Sequence, residues 1–275
     1  MYSRRNSIRF DSTSGAFPPT KENTAVNELD DLLLRIDAMK TRLDACRPLI
    51  GEQVQLALDI EYTFESNRIE GNTLTLRETD LVVNKGLTVS GKSMREHLEA
   101  INHYEAILYI RDLASQGAML DEREIRNIHA LVLRGIDRDN AGRYRRVPVM
   151  ISGSRHVPPQ PWAVPKLMED YGLWLAGESL SLHPVLRAAE AHERLVTIHP
   201  FIDGNGRTAR LVMNLILLAN GYAIANIPGD TENRRAYYDA LEKCNLDGRR
   251  ADFLYLIAGY SLSSLRTLLE RLGAT

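Results

Sequence analysis

The chain lacks the features that mark several large classes of protein. Only two of its 275 residues are cysteines, Cys46 and Cys244, and they form neither a disulfide framework nor a cysteine metal site. Such low cysteine use suits a reducing compartment, and we expect a cytoplasmic protein. No apolar run approaches the ~18 residues of a membrane-spanning helix, so we expect no membrane contact. A net charge of −2 gives no overall attraction to nucleic acid, and we expect none as partner.

Internal repeats and low-complexity segments are also missing. A length of 275 residues allows one large domain or two small ones. Residues 1–20 carry Arg4, Arg5 and Arg9 among several Ser and Thr, and we interpret them as a flexible tail. A transit peptide is the alternative, but Asp11 and the Gly and Pro residues would break its amphipathic helix.

Helical periodicity dominates the rest of the chain, which predicts an all-α, mainly helical fold. An apolar stripe begins the pattern and would pack on the next helix or on another subunit; it consists of Leu29, Leu32, Ile36, Met39 and Leu43. After Pro48, further helices are predicted at about 49–68, 76–85, 92–116, 121–135, 161–176, 183–198, 206–220, 231–244 and 248–271.

The most informative stretch is HPFIDGNGRTAR, residues 199–210. It combines a histidine, a carboxylate, two glycines and two arginines. The stretch at 211–219 is almost wholly apolar and ends at Asn220-Gly221, a suitable helix C-cap. The polar loop therefore opens a buried helix, whose free N–H groups and dipole attract anions. This arrangement suits a nucleotide phosphate chain.

Three common loops explain the run less well. Asn205-Gly206 could form a hairpin turn, but the apolar stretch after it is too long for a strand. An EF-hand would place Thr208 where Gly is needed and Asn214 where Glu is needed. A P-loop needs four residues between its glycines and then a Lys, whereas Gly204 and Gly206 lie one residue apart.

The run matches, at every fixed position, the signature His-x-Phe-x-Asp/Glu-Gly-Asn-Gly-Arg-x-x-Arg of the Fic family. The chain resembles Fic proteins from about residue 50 to about residue 270. The resemblance implies a Fic fold with a small β-hairpin called the flap, and transfer of AMP from ATP to a hydroxyl of a target protein. It also implies a helical region with an inhibitory helix at 21–90 and a catalytic core at 91–275.

His199 and Asp203 have the side chains that such a transfer needs. The attacking hydroxyl must lose a proton, and His199 is the natural base because an imidazole titrates near neutrality. Asp203 suits Mg²⁺ or Mn²⁺, because these ions take one or two carboxylates together with phosphate oxygens. Helix N-capping is a second role open to Asp203.

Five further residues of the run are predicted to bind the ATP phosphates. Gly204 and Gly206 lack Cβ atoms and let the backbone approach a phosphate closely, and Asn205 adds an amide donor. Arg207 and Arg210 are three residues apart and share a helix face. The resemblance assigns the γ-phosphate to Arg210.

An upstream motif, SNRIEGN at residues 66–72, resembles the family's inhibitory pattern Ser/Thr-x-x-x-Glu-Gly/Asn. The resemblance makes Ser66 and Glu70 inhibitory residues. A carboxylate can form a charge-assisted pair with a guanidinium. If Glu70 holds Arg210, that arginine cannot bind the γ-phosphate. The alternative is a surface Glu whose pairing contributes no more than ~1 kcal/mol.

Two extended pieces around Ser152-Gly153-Ser154 predict the hairpin. The resemblance makes this flap the target-binding element, with Val147, Val149 and Met150 along the target's backbone. Four arginines between residues 143 and 155 would also suit nucleic acid, but the whole chain is not basic.

The resemblance also places Tyr237, Tyr238 and Asn245 in the adenine and ribose pocket. An aromatic ring can stack on a base and an amide can read its edge. At least one of the two tyrosines could instead belong to the core, and the sequence leaves that open.

Other functions stay open at this level. The same residues would serve removal of AMP from a modified target, with Glu70 orienting water. The family also includes members that transfer UMP, phosphate or phosphocholine. A nucleotide-gated binding module is the non-enzymatic alternative, against which the intact His199 argues. A homodimer is expected, formed through an apolar stripe of the helix near 92–116 with Met94, Leu98, Ile101 and Ile107.

Overall fold

A computed structural model describes residues 21–274, so the predicted tail at 1–20 lies outside the described residues. The ten α-helices of the described part are α1 Lys21–Cys46, α2 Glu52–Ile69, α3 Leu76–Lys85, α4 Met94–Ser115, α5 Glu122–Val132, α6 Val164–Ala176, α7 Pro184–Ile198, α8 Asn205–Ala219, α9 Thr231–Asp247 and α10 Arg250–Arg271. The all-α prediction is confirmed. Within residues 21–274, no helix combines the length and the apolar character needed to cross a membrane.

Helix α8 lies at the centre of the fold. Residues 207–217 are all buried, and α8 packs against α4, α5 and α7. A helix covered on every side can be apolar all round, which explains why the sequence after residue 210 shows no polar face. Its central position fixes the start of α8, where the polar loop ends.

The N-terminal helix α1 packs mainly against α10. Leu32, Ile36 and Leu43 of the predicted stripe are buried there. The stripe therefore finds its partner inside the chain, in the last helix, rather than in α2.

Most helix ends agree with the sequence signals. Helix α3 has the predicted bounds because Thr75 and Glu78 form a capping box before it and Gly86 ends it in the left-handed region, with φ 64°. Helix α2 starts three residues later than predicted, because Pro48 lies in a 3₁₀ turn at Arg47–Leu49.

The predicted β-hairpin is the main difference, since residues 21–274 contain no β-strand. Its turn is present: the Ser154 N–H donates to the Ile151 carbonyl over 3.1 Å, with Gly153 at φ 77°. The flanking residues do not pair. Pro148 has no N–H, and the Arg155 N–H donates to Glu242 Oε1 over 3.0 Å instead of to a facing strand. We call residues 147–158 the flap segment.

The expected dimer stripe on α4 is only partly exposed. Met94 is 67% exposed, whereas Ile107 lies in the core with no exposed surface. Ile101 packs with a small second cluster formed by Leu74, Val82 and Ala100. Within the expected stripe, Met94 on the first turn of α4 is therefore the exposed member.

Candidate active site

His199 lies at the junction between α7 and the polar loop. It adopts the left-handed conformation, with φ 50°, and is the one residue other than glycine to do so within residues 21–274. That conformation costs about 1–3 kcal/mol and is typical of functional sites. Its Nδ1 lies 3.3 Å from the Val196 carbonyl. Nδ1 must donate there, which leaves Nε2 free to accept a proton.

Burial determines the protonation state of His199. Loss of water contact lowers its pKa to about 4, the Val196 hydrogen bond opposes this, and the nearby Arg145 charge adds to the lowering. The imidazole is therefore neutral at physiological pH. Phosphate charges bound nearby would raise this pKa toward neutrality, where a general base works best.

Arg145 supports the loop that begins at His199, a role that the sequence did not indicate. Its guanidinium is buried and its Nε donates to the His199 carbonyl over 2.8 Å. Its backbone N–H donates to the Pro200 carbonyl over 2.9 Å. In the sequence, Arg145 is one of several arginines in a basic run, and no local signal distinguishes it.

Residues 201–205 form a tight turn, fixed by two polar side chains. The Asn205 amide donates to the Phe201 carbonyl over 3.0 Å and its oxygen accepts from the Phe201 N–H over 2.9 Å. The His129 ring stacks on Phe201 with centroids 3.6 Å apart, and its Nε2 lies 2.9 Å from the Asp203 carbonyl. Asn205 thus shapes the loop with its side-chain amide, and its predicted contact with a phosphate stays a prediction.

The Glu70 carboxylate lies against the first turn of α8, at the end of a helix where anions commonly bind. Gly204 is the N-cap, with φ 76°, a conformation that favours glycine. The first amides of a helix have no partners within it. Glu70 Oε1 lies so close to Gly206 that an added Cβ would collide with it. Glu70 therefore stands where a phosphate group would be expected to bind.

Arg210 ties that carboxylate to the helix. The guanidinium is 1% exposed, and its Nη2 donates to Glu70 Oε1 over 2.8 Å and to the Ser66 carbonyl over 2.9 Å. Its Nε donates to Ser66 Oγ over 3.0 Å. Burial alone would lower the pKa of this guanidinium, but the Glu70 carboxylate and the nearby Tyr237 and Tyr62 more than offset that. The structure thus brings both predicted inhibitory residues onto Arg210.

Asp203 is surrounded by positive charge. Its Oδ1 accepts from the Gly204 N–H over 2.6 Å and lies 3.4 Å from Arg207 Nη2, while Oδ2 pairs with Arg95 Nη2 over 2.5 Å. Burial opposes ionisation, but Arg207, the Gly204 amide and Arg95 together hold the pKa of this carboxyl below its usual value. Buried Arg207 also lies 3.4 Å from Glu99 Oε1, and its Nε and Nη1 lack hydrogen-bond partners.

These surroundings fit a divalent cation held by one protein carboxylate. Asp203 is ionised and its side chain is 42% exposed. The described residues contain no cluster of three His, Cys, Asp or Glu that could hold a metal alone. Mg²⁺ commonly relies on one or two carboxylates plus substrate phosphates, so a single ligand suffices. Arg95 would have to release Oδ2 for the cation to bind.

The residues predicted to form the adenine pocket differ in their exposure to solvent. Tyr237 is 1% exposed and its hydroxyl lies 2.9 Å from His192 Nε2, so this ring belongs to the core beneath Arg210. Tyr238 is 41% exposed, and its hydroxyl donates to the Ile69 carbonyl over 3.3 Å. Asn245 Oδ1 accepts from Thr197 Oγ1 over 2.5 Å. Tyr238 is thus the ring that could stack on a base.

The flap segment presents apolar side chains to solvent. Met150 is 95% exposed and Val147 is 53% exposed, while Val149 is partly buried. Arg145 Nη1 donates to the Val147 carbonyl over 3.3 Å, which connects this segment to the arginine that supports His199.

Comparison with known proteins identifies the family. The sequence profile of the Fic/DOC family matches residues 119–217. A protein of Drosophila grimshawi named "Protein adenylyltransferase Fic" is 41% identical over 199 residues, which cover 72% of this chain and 40% of that protein. The solved structure of Fic-1, residues 134–508, from C. elegans aligns with a TM-score of 0.79 at 30% identity, covering 92% of this chain and 75% of that one. The chain belongs to the Fic/DOC family.

Fic membership extends beyond the matched catalytic region. Residues 119–217 contain His199, Asp203 and Arg210 but not Glu70. The protein of the same name in Drosophila yakuba is 37% identical over 237 residues, 85% of this chain and 47% of that protein. The chain therefore spans less than half the length of these curated Fic relatives.

Proposed function

We propose that this chain transfers AMP from ATP to a hydroxyl side chain of a target protein, with His199 as the general base. Support comes from the relatives named protein adenylyltransferase Fic and from the free Nε2 of His199 beside the anion site of α8. ATP would be the co-substrate. UMP, phosphate and phosphocholine transfer are the alternatives within the family.

In this mechanism His199 acts on the incoming hydroxyl. Nδ1 donates to the Val196 carbonyl and fixes the ring, so Nε2 takes the hydroxyl proton while the oxygen attacks the α-phosphorus. The bond from the α-phosphorus to the bridging oxygen breaks, and pyrophosphate leaves. His199 then holds the proton, and the target carries AMP as a phosphodiester.

The first turn of α8 would hold the remaining phosphates. Its amides and the Arg207 and Arg210 guanidiniums supply positive charge, and buried charges act strongly because little water screens them. A divalent cation bound to Asp203 would neutralise charge on the phosphate oxygens. The loop contacts of Asn205 and His129 keep these donors in place before ATP binds.

Glu70 makes the described state an inhibited one. Its carboxylate occupies the anion site at Gly206 and pairs with Arg210, so the γ-phosphate loses both its place and its guanidinium. ATP bound without that clamp would not align its α-phosphorus with the attacking hydroxyl.

The flap segment is proposed to receive the target's backbone. Met150 and Val147 are exposed, and Arg145 connects this segment to His199. An extended peptide that pairs with this segment could bring its hydroxyl toward Nε2.

The single observation that carries the proposal is His199, whose Nδ1 is held by the Val196 carbonyl so that Nε2 is left open to an incoming hydroxyl. The test is mass spectrometry of lysate proteins after incubation with ATP and the Glu70→Gly chain. AMP adducts should appear on Ser, Thr or Tyr, and should be absent with the matched Glu70→Gly/His199→Ala chain. No adducts from a folded, ATP-binding variant would contradict the proposal.

Removal of AMP is the second candidate. Glu70 Oε1 accepts from Arg210, whereas no hydrogen bond among the described residues reaches Oε2. That oxygen could orient a water molecule toward a phosphodiester. Native chain incubated with an AMP-modified target would then release AMP, and the Glu70→Gly chain would not.

A homodimer stays a prediction. Met94 on the first turn of α4 is the exposed member of the expected stripe and favours it. We expect light scattering of the native chain to give twice the 31.0 kDa of one chain, and Met94→Asp to restore the single-chain mass. A single-chain mass for the native protein would rule it out.

A further inference from the structure

An open groove of about 670 Å³ lies beside the catalytic loop, between α5 and the start of α6. Its size falls within the range of about 300–1,000 Å³ that is typical of ligand sites. Its lining residues are Glu122, Arg126, Arg143, Tyr144, Arg145, Arg146, Pro161, Trp162 and Pro165. Four guanidiniums face one carboxylate, which leaves three positive charges in a chain whose net charge is −2.

The arginines of this groove have no carboxylate partners. Arg143 and Arg146 are exposed, and no ion pair within the described residues includes them. Arg145, on the floor, is 2% exposed and donates only to backbone carbonyls. Nearby Arg155, by contrast, pairs with Glu242 over 3.1 Å. The groove therefore concentrates positive charge that no carboxylate of the described chain neutralises.

An aromatic side chain borders this charge. Trp162 is 82% exposed, an unusual position for the largest apolar side chain. It lies in the 3₁₀ turn Pro161–Ala163, whose proline limits its flexibility. A rigid exposed Trp next to arginines has the composition of an interaction hot spot.

The groove is continuous with the elements that would handle the target. Arg145 forms its floor and also donates to the His199 carbonyl over 2.8 Å. The flap segment begins at Val147, directly after Arg146. A chain that fills the groove and continues along the flap segment would pass the catalytic histidine.

We propose that this groove binds an acidic segment of the target protein, next in sequence to the hydroxyl residue that is modified. Asp and Glu side chains would pair with Arg143 and Arg146, and an apolar residue would pack on Trp162. This inference rests on the proposed function for its choice of partner. The groove would then select targets by charge, which a backbone contact at the flap segment cannot do.

Nucleic acid is a poorer occupant of the same charge. A nucleic-acid site needs positive charge that continues along the phosphate backbone, whereas this groove holds its arginines in one place. The groove is also short and ends at the proline-containing turn of Trp162 instead of continuing as a basic stripe.

The test measures binding without catalysis. Fluorescent peptides with one Thr and either a flanking run of Asp and Glu or a matched run of Asn and Gln are titrated with the native chain. Anisotropy is read at low and at physiological salt. The variants are Arg143→Glu/Arg146→Glu, milder Arg143→Gln, and Trp162→Ala. The matched control, Arg35→Glu/Arg266→Glu, makes the same charge change at exposed arginines of α1 and α10.

The acidic peptide should bind more tightly than the neutral one, and more weakly as salt rises. The double variant Arg143→Glu/Arg146→Glu should lower the affinity for the acidic peptide about tenfold or more. The control variant Arg35→Glu/Arg266→Glu should leave that affinity nearly unchanged. Equal binding of both peptides, or equal loss in the control pair, would overturn the proposal. So would tighter, groove-dependent binding of a single-stranded RNA probe.

The same peptides distinguish this proposal from the proposed function. In the Glu70→Gly chain with labelled ATP, label should reach the Thr of the acidic peptide. The amount of label should fall when Arg143→Glu/Arg146→Glu is added to that chain. Binding with the expected charge dependence but no label would contradict AMP transfer and leave the groove intact. Label without charge preference would contradict the groove alone.

Discussion

Removing the Glu70 charge is the perturbation that the structure describes most fully. Glu70→Gln keeps the side-chain shape and loses the charge, whereas Glu70→Gly removes the group. A hydrogen bond to a charged partner contributes about 1.5–3 kcal/mol, against about 1 kcal/mol for a neutral one. Because Glu70 is 32% exposed, the lower half of that range applies. A difference of about 1.4 kcal/mol corresponds to a factor of ten in an equilibrium constant or a rate.

Inhibition should therefore be relieved partly by Glu70→Gln and more strongly by Glu70→Gly. We expect AMP transfer to rise about fivefold for Glu70→Gln and on the order of 10–50-fold for Glu70→Gly. The free energy of unfolding should fall, because Arg210 stays buried with Ser66 and, over 3.4 Å, the Tyr237 hydroxyl as its remaining acceptors. A loss of about 1–3 kcal/mol is expected.

ATP should reverse that loss, since its γ-phosphate would replace the missing carboxylate on Arg210. The assay is thermal unfolding with and without ATP, beside transfer from labelled ATP, for the native chain and both variants. The shift in Tm caused by ATP should be larger in Glu70→Gly than in the native chain. An equal shift in all three chains, with equal labelling, would refute the role of the Glu70–Arg210 pair.

Four further predictions concern other parts of the site. His199→Ala should lower transfer about 10²–10⁴-fold while calorimetry shows ATP binding retained. Because burial lowers the pKa of His199 to about 4, kcat/KM for ATP of the Glu70→Gly chain, which reports the free enzyme, should fall only as the pH approaches that value, where the imidazole becomes protonated; a fall of kcat/KM near pH 6.5, the ordinary value, would contradict this. Asp203→Ala should abolish transfer as a chelator does; undiminished turnover in excess chelator would exclude a cation. Gly229→Ala should raise transfer and lower Tm, because its Cβ would lie 2.8 Å from the Glu65 carbonyl in the last turns of α2, at a cost of about 1–3 kcal/mol; unchanged values would show that α2 is not held there.

Much of the catalytic loop could be predicted from adjacent residues in the sequence. Residues 199–210 contain their own chemistry, and the apolar run that follows predicts a buried helix. Because loop and helix are adjacent in the chain, no long-range packing had to be known. The pairing of Glu70 with Arg210 spans 140 positions and was inferred from two motifs read together.

The supporting residues could not be found in this way. Arg145 and His129 reach the loop from 54 and 74 positions away, and each looks ordinary in its own segment. The contact of Asn205 with the loop was not foreseen, because its amide could equally bond a phosphate or the Phe201 backbone. Only the fold decides between them.

The conformation of the flap segment and the burial of the two tyrosines could not be predicted from sequence patterns. The Ser-Gly turn was predicted, but strand pairing depends on backbone donors, and Pro148 and the Arg155–Glu242 contact remove them. Tyr237 and Tyr238 are neighbours with the same side chain, yet one is 1% exposed and the other 41%. Their difference depends on the position of α9 over Arg210.

The most direct measurement uses the Glu70→Gly chain with ATP labelled either in the α-phosphate or in the γ-phosphate, and follows label on protein. We predict label from the α-position only. This label should be lost when His199→Ala or Arg210→Ala is added, and labelling of the native chain should be near-absent. Label from the γ-position would show phosphate transfer instead. Equal α-labelling of the native and Glu70→Gly chains would show that Glu70 does not hold this site inactive.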